Sequence, residues 1–98
     1  MIDYEALIAK YCSGNTELLH IILTHSRQVA DRALTILDAH PQWVESGEID
    51  PVFVEEAAML HDIGVVLCDA PRIHCYGKHA YIEHGYLGAE ILRQEGLP

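Results

Sequence analysis

The stretch Glu55-Glu56-Ala57-Ala58-Met59-Leu60-His61-Asp62-Ile63-Gly64 constrains this chain more than any other, because it reads as a helix ending on an adjacent histidine and aspartate. Alanine and methionine are strong helix formers, and a glycine just past the last turn is the usual occupant of the left-handed C′ position. His61 and Asp62 are therefore expected in the final turn, where side chains fan over the helix end. An imidazole beside a carboxylate makes a compact pair of metal ligands with basic atoms left over for activating water. Alone, the dipeptide could equally be a C-terminal cap with a salt link.

Two further histidines give it weight. Asn15 or Thr16 caps a long helix expected to run to about Ala39, with Pro41 closing it. Its apolar stripe is read as Leu18, Ile22, Val29, Ala33 and Ile36, and His25 falls into that stripe. A lone histidine on such a face is more often a core residue than a ligand. His84 stands in Glu83-His84-Gly85-Tyr86-Leu87-Gly88-Ala89-Glu90, within a helix expected from about His79 to Gln94. Each glycine inside a helix costs roughly 1 kcal/mol against alanine, so Gly85 and Gly88 call for a close approach of another helix or a ligand beside His84. Three helices thus each bring a polar ligand group to an apolar face. Polar groups buried together need partners, and a metal ion is one partner for all of them.

The remaining segments are helices joined by short connections. Asp3 to Cys12 reads as a first helix ended by Ser13-Gly14, and Trp43 and Val44 read as packing residues in a loop. Asp50-Pro51 starts the helix that carries the His-Asp pair, with Asp as N-cap and Pro where no amide donor is needed. Val65 to Lys78 loses periodicity and is expected to be an irregular loop with at most one short turn. No segment alternates convincingly as a strand. The expected class is all-α: a compact bundle of about four to five helices forming a single domain over residues 1–98.

Charge and cysteine usage narrow the function. The net charge of −9, with only six lysines and arginines, excludes a generic surface for nucleic-acid polymers or anionic membranes. Seven histidines among 98 residues is a high count and favours a metal reading. Cys12, Cys68 and Cys75 are odd in number and form no CxxC pair, so they are expected to pack as small apolar residues. With no apolar run of transmembrane length and no signal peptide, a cytoplasmic location is expected.

The combined pattern His25-Ser26-x-x-Val29-Ala30, Ala57-x-x-Leu60-His61-Asp62-Ile63-Gly64 and His84-Gly85-x-x-Gly88-Ala89-Glu90-Ile91-Leu92 resembles the HD-domain metal-dependent phosphohydrolases, in their HDIG-type branch. The resemblance spans roughly residues 18 to 95. It implies an α-helical fold and a divalent metal held by a first histidine, the His-Asp doublet and a later aspartate. His25, His61 and Asp62 match the first three ligands, and His84 matches a ligand of a second metal or a contact to substrate phosphate. His61 and Asp62 are then the catalytic pair. The last aspartate has no counterpart before Pro98, so the chain is expected to be the N-terminal part of a longer HD-domain protein. Missing downstream helices would leave apolar surface exposed and favour homo-oligomers.

Histidine and carboxylate ligands suit Fe, Mn, Zn, Co or Ni, as one or two ions. The expected substrate is a small phosphorylated molecule, nucleotide-like in class. Arg72, His74, Lys78 and His79 precede the His84 helix, and Arg72, Lys78 and His79 are the candidate phosphate contacts, although each residue taken singly is more often a solvated loop residue. Arg27 and Arg32 are expected to face away from the His25 stripe. Two alternatives use the same ligands: a di-iron oxygenase of this fold, and a non-catalytic module that binds metal or ligand.

Overall fold

The computed structural model describes residues 2–97. Five α-helices dominate them: α1 Tyr4–Cys12, α2 Thr16–Asp38, α3 Pro41–Glu45, α4 Pro51–Leu60 and α5 His84–Gln94. Between α4 and α5 the chain makes 3₁₀ turns at Ile63–Leu67, Pro71–Ile73 and Tyr81–Glu83. Two short strands, β1 Asp69–Ala70 and β2 Cys75–Tyr76, pair antiparallel with Asp69 opposite Tyr76 and Ala70 opposite Cys75. The class is all-α, and at two residues each the strands are too short to show alternation in sequence.

The helix starts follow from side-chain caps. Asp3 accepts from the amide of Ala6 at 3.1 Å, Asn15 from Leu18 at 3.1 Å, and Asp50 from Val52 at 3.0 Å, with Pro51 filling the first turn of α4. Each satisfies an amide left over at the helix start. Ser13 in the left-handed region (φ 49°) and Gly14 (φ 83°) end α1 as expected. The core joins Ile8 and Cys12 of α1, Leu18 and Ile22 of α2 and Leu60 of α4 to Ile63, Val65, Cys75 and Ile91. α2 runs along α4, and α5 packs on the Ile63–Leu67 turn. The three cysteines are buried and free, and burial pushes each thiol up, so they pack as apolar residues.

Several local expectations are corrected. Pro41 does not lead into a loop; it starts α3, where Trp43 stacks on His40 with ring centroids 4.0 Å apart. The last helix begins at His84 and not at His79, because residues 81–83 form a tighter 3₁₀ turn first. On α2 the buried face is Leu18, Ile22, Ser26, Ala30 and Leu37, whereas Val29 and Ile36 are exposed. The small Ser26 and Ala30 are the buried residues of the middle turns, and the bulkier neighbours are turned outward.

Gly64 is corrected in its role. It does not take the left-handed C′ conformation; α4 ends at Leu60 and Gly64 lies buried inside the following 3₁₀ turn. A Cβ there would stand 2.0 Å from the His84 carbonyl oxygen and 2.3 Å from the Gly88 amide nitrogen. Only glycine lets the two backbones meet. Gly88 thus has the close approach expected of it, while Gly85 has open space where a Cβ would go.

Candidate metal centre

The end of α4 presents His61 and Asp62 in consecutive backbone states that aim both side chains at one point. His61 closes α4 in the helical region, and Asp62 follows at φ −103°, ψ 10°, the sparsely used bridge region where many site residues lie. α2 brings His25 from the side. α5, held on the Ile63–Leu67 turn by the Gly64–Gly88 contact, brings His84 through its first residue.

Asp62 is the centre of the group. Its Oδ2 lies 3.0 Å from His25 Nε2 and 3.0 Å from His61 Nε2, and its Oδ1 lies 3.3 Å from His84 Nε2. The ligand atoms of His25, His61 and Asp62 all lie within 4.8 Å of one another. Asp62 and His84 are mostly covered, at 20% and 27% side-chain exposure, while His25 is 53% exposed. The group therefore sits at the floor of a surface site, open to solvent on the His25 side.

The far ring nitrogens decide what these atoms can do. His61 Nδ1 is 2.5 Å from the Ala58 carbonyl oxygen, and His84 Nδ1 is 2.7 Å from the Tyr81 carbonyl oxygen. A carbonyl oxygen only accepts, so each Nδ1 carries a proton and donates it. In the tautomer whose single proton is on Nδ1, each ring turns a bare Nε2 lone pair toward a carboxylate oxygen. Two acceptors at 3.0 Å repel unless a proton or a cation stands between them. Ligands about 2.1 Å from an ion and at right angles to each other stand about 3.0 Å apart, so the spacing suits a cation. Donation from Nδ1 to a carbonyl is also the usual support behind a metal-bound histidine. On this donor chemistry, His25, His61 and Asp62 fit a divalent metal, with positions left open to solvent.

The candidate phosphate contacts fall outside this group. Arg72, Lys78 and His79 are exposed, and His79 Nδ1 lies 3.2 Å from the Glu83 carboxylate four residues on. Arg72 adjoins Ile73, which lines a cavity of about 240 Å³ that opens at His25 and Asp62 and is walled by Ile21, Ile22, Val65 and Tyr81. Arg27 faces away from His25 as expected, bound to Glu55 at 2.9 Å and Asp31 at 3.0 Å. Arg32 is corrected: it shares a shallow groove with His25, Val29, Ala33 and Ile36, seven residues or about 10 Å along α2. The cavity wall and the supporting carbonyls of Ala58 and Tyr81 escaped sequence reading. A carbonyl has no residue signature, and the wall residues look like ordinary core. His74 is taken up elsewhere, 3.0 Å from Glu17.

No curated protein and no solved structure matches this chain. The family model described as HD domain matches residues 22–98, which include His25, His61, Asp62 and His84. With most of the sequence covered and a His-His-Asp group at metal-binding distance, the chain belongs to the HD-domain family.

Proposed function

We propose that this HD domain is a metal-dependent phosphohydrolase acting on a small phosphoester, nucleotide-like in class. The observation that carries the reading is the set of histidine Nε2 atoms facing a single carboxylate, with two of the rings fixed through Nδ1 to carbonyl oxygens. His25, His61 and Asp62 would hold a divalent ion drawn from Fe, Mn, Zn, Co or Ni. When bound, such an ion supplies Lewis acidity toward a phosphoryl oxygen and a nucleophilic hydroxide near neutral pH. The chain's own residues do the rest. The Ala58 carbonyl holds the His61 proton on Nδ1 and so keeps Nε2 free for the ion. Asp62 presents one oxygen to His25 and His61 and the other to His84, and can orient a water between them. His84, tied to Tyr81 through Nδ1, would complete a second site through Nε2, or would donate to a phosphoryl oxygen when Nε2 carries a proton as well. Arg72, Lys78 and His79 are the proposed contacts for the outer phosphate charge.

Hydrolysis of a panel of phosphomonoesters by metal-loaded protein, wild type against His61→Ala, tests the reading. Turnover in the wild type that is lost in the variant supports it. No turnover with any ester and any of the five metals overturns it. Iron at two per chain together with oxygen consumption would move the reading to the oxygenase.

A further inference from the structure

The cavity that begins at His25 and Asp62 has two chemically distinct ends. One carries the proposed metal ligands, and the other is formed by Ile21 and Ile22 of α2, Val65, Ile73 and the ring of Tyr81. No lysine or arginine lines it. Beyond the ligand end, its only polar side-chain atom is the Tyr81 hydroxyl. Ile22 and Val65 are buried, Ile21 and Ile73 half-buried, and Tyr81 is 50% exposed at the mouth. Resting on the phosphohydrolase reading above but replacing its nucleotide-like substrate class, we infer that this cavity holds the organic group of the substrate, and that the group is apolar and about the size of one aromatic ring.

Size and chemistry both select that occupant. The volume of about 240 Å³ exceeds the roughly 150 Å³ of an apolar cavity known to take benzene. It falls below the ~300–1,000 Å³ of sites for drug-sized ligands. A sugar or a second phosphate placed among Ile21, Val65 and Ile73 would lose its water and find no donor or acceptor in return. A ring or a branched alkyl group loses nothing and covers the wall. Because the wall is continuous with the ligand end, such a group can lie in the cavity while its phosphate reaches His25 and Asp62. The reaction needs only water. One P–O bond forms to the water oxygen, the P–O bond to the organic group breaks, and the water proton ends on the departing alcohol.

Benzyl phosphate and glycerol phosphate test this directly, since both release an alcohol and carry the same charge. With metal-loaded wild type, benzyl phosphate should exceed glycerol phosphate in kcat/KM by at least about 10-fold, the scale of one or more methylenes in an apolar pocket. Ile21 is half-buried and absent from the core cluster, so Ile21→Ser changes the wall without opening the core, and the ratio should fall several-fold. Equal kcat/KM for the two esters, or a ratio indifferent to Ile21→Ser, overturns the inference and leaves the phosphohydrolase reading standing. If neither ester is cleaved, the wider ester panel decides that reading and a binding titration decides the cavity alone. Methyl NMR shifts at Ile21, Val65 and Ile73 with benzylphosphonate, and none with methylphosphonate, support it; no shifts with either overturn it.

Discussion

Gly64 and Gly88 meet backbone to backbone, with a Cβ on Gly64 falling 2.3 Å from the Gly88 nitrogen and 2.9 Å from its Cα. The contact seats α5 on the turn that follows the His-Asp pair, and so fixes the distance from Asp62 to His84. Gly64→Ala would drive a methyl into backbone that cannot rotate away, so α5 must move. The expected loss is about 1–3 kcal/mol, the usual range for overpacking, with a fall in Tm of about 4–8 °C per kcal/mol for a domain this small. Gly88→Ala, whose Cβ would stand 3.2 Å from the Gly64 nitrogen, should cost less. Gly85→Ala meets open space and should stabilise by no more than about 1 kcal/mol. Thermal melts of the three variants check the order, and any other ranking would mean that α5 is not held here.

Ser26 is the buried polar residue of the α2 core face, 0% exposed, and its hydroxyl has no hydrogen-bond partner among the described residues. Serine in mid-helix usually bonds back to a carbonyl one turn earlier. Here it does not, so the group loses its water without return. Ser26→Ala removes the orphan at little cost in volume and adds helix propensity. A gain of about 1 kcal/mol is expected, read as a higher urea midpoint with an unchanged m-value. A lower midpoint would show that the hydroxyl has a partner, such as an ordered water.

Glu95 closes α1 against the end of α5, accepting from Lys10 Nζ at 2.8 Å and from the Tyr11 hydroxyl at 2.7 Å. These hydrogen bonds, the Lys10 one first, hold its carboxyl below the ordinary glutamate value of 4.5. A carboxyl lowered on folding binds its proton more readily in the unfolded chain. Its contribution to stability is therefore present above the unfolded value and is lost as pH falls through the folded one. Glu95→Gln should lower stability at pH 7 and flatten the acid limb of a Tm-against-pH curve. The effect should shrink in high salt, because Lys10 is mostly exposed. An acid limb identical in the two proteins would remove Glu95 from the account.

The legible parts of this chain are those set by short-range rules. Asn15 and Asp50 cap where their side chains predict, Pro51 opens α4, and Asp3, expected as the first residue of the first helix, is its N-cap instead. The proximity of His25, His61, Asp62 and His84 was also legible, as what the resemblance to the HD-domain family implies. What escaped was set by packing between segments distant in sequence. α2 carries apolar residues at helical spacing on two faces, Val29-Ala33-Ile36 and Ala30-Leu34-Leu37, and periodicity alone cannot say which one meets α4. The face that is buried carries Ile22, Ser26, Ala30 and Leu37, and Val29 and Ile36 are left exposed. That choice also leaves His25 on the open side of the helix, where a ligand is useful, and brings Arg32 onto the same face. Gly64 was visible as a glycine that matters, but its reason lies in Gly88, 24 positions later, which no local pattern encodes.

Metal affinity separates the roles of the histidines. His25, His61 and Asp62 form the one group with mutually close ligand atoms among the described residues, whereas His84 faces the other oxygen of Asp62. Removing a supporting group around a bound metal typically costs 10–100-fold in affinity, and removing a ligand itself should cost more. His25→Ala and His61→Ala are therefore expected to lower affinity by more than about 100-fold, while His84→Ala should stay within the 10–100-fold range. Helix content should survive in all three, since His61 is exposed and its hydrogen bond is to its own helix at Ala58. Elemental mass spectrometry of protein purified without added metal or chelator gives the occupancy, and competition with a chelator gives the affinity. Equal losses for His84→Ala and His61→Ala would mean that His84 is a ligand of the same ion, with Asp62 spanning both sides. Full metal content in His61→Ala would remove the end of α4 from the site altogether.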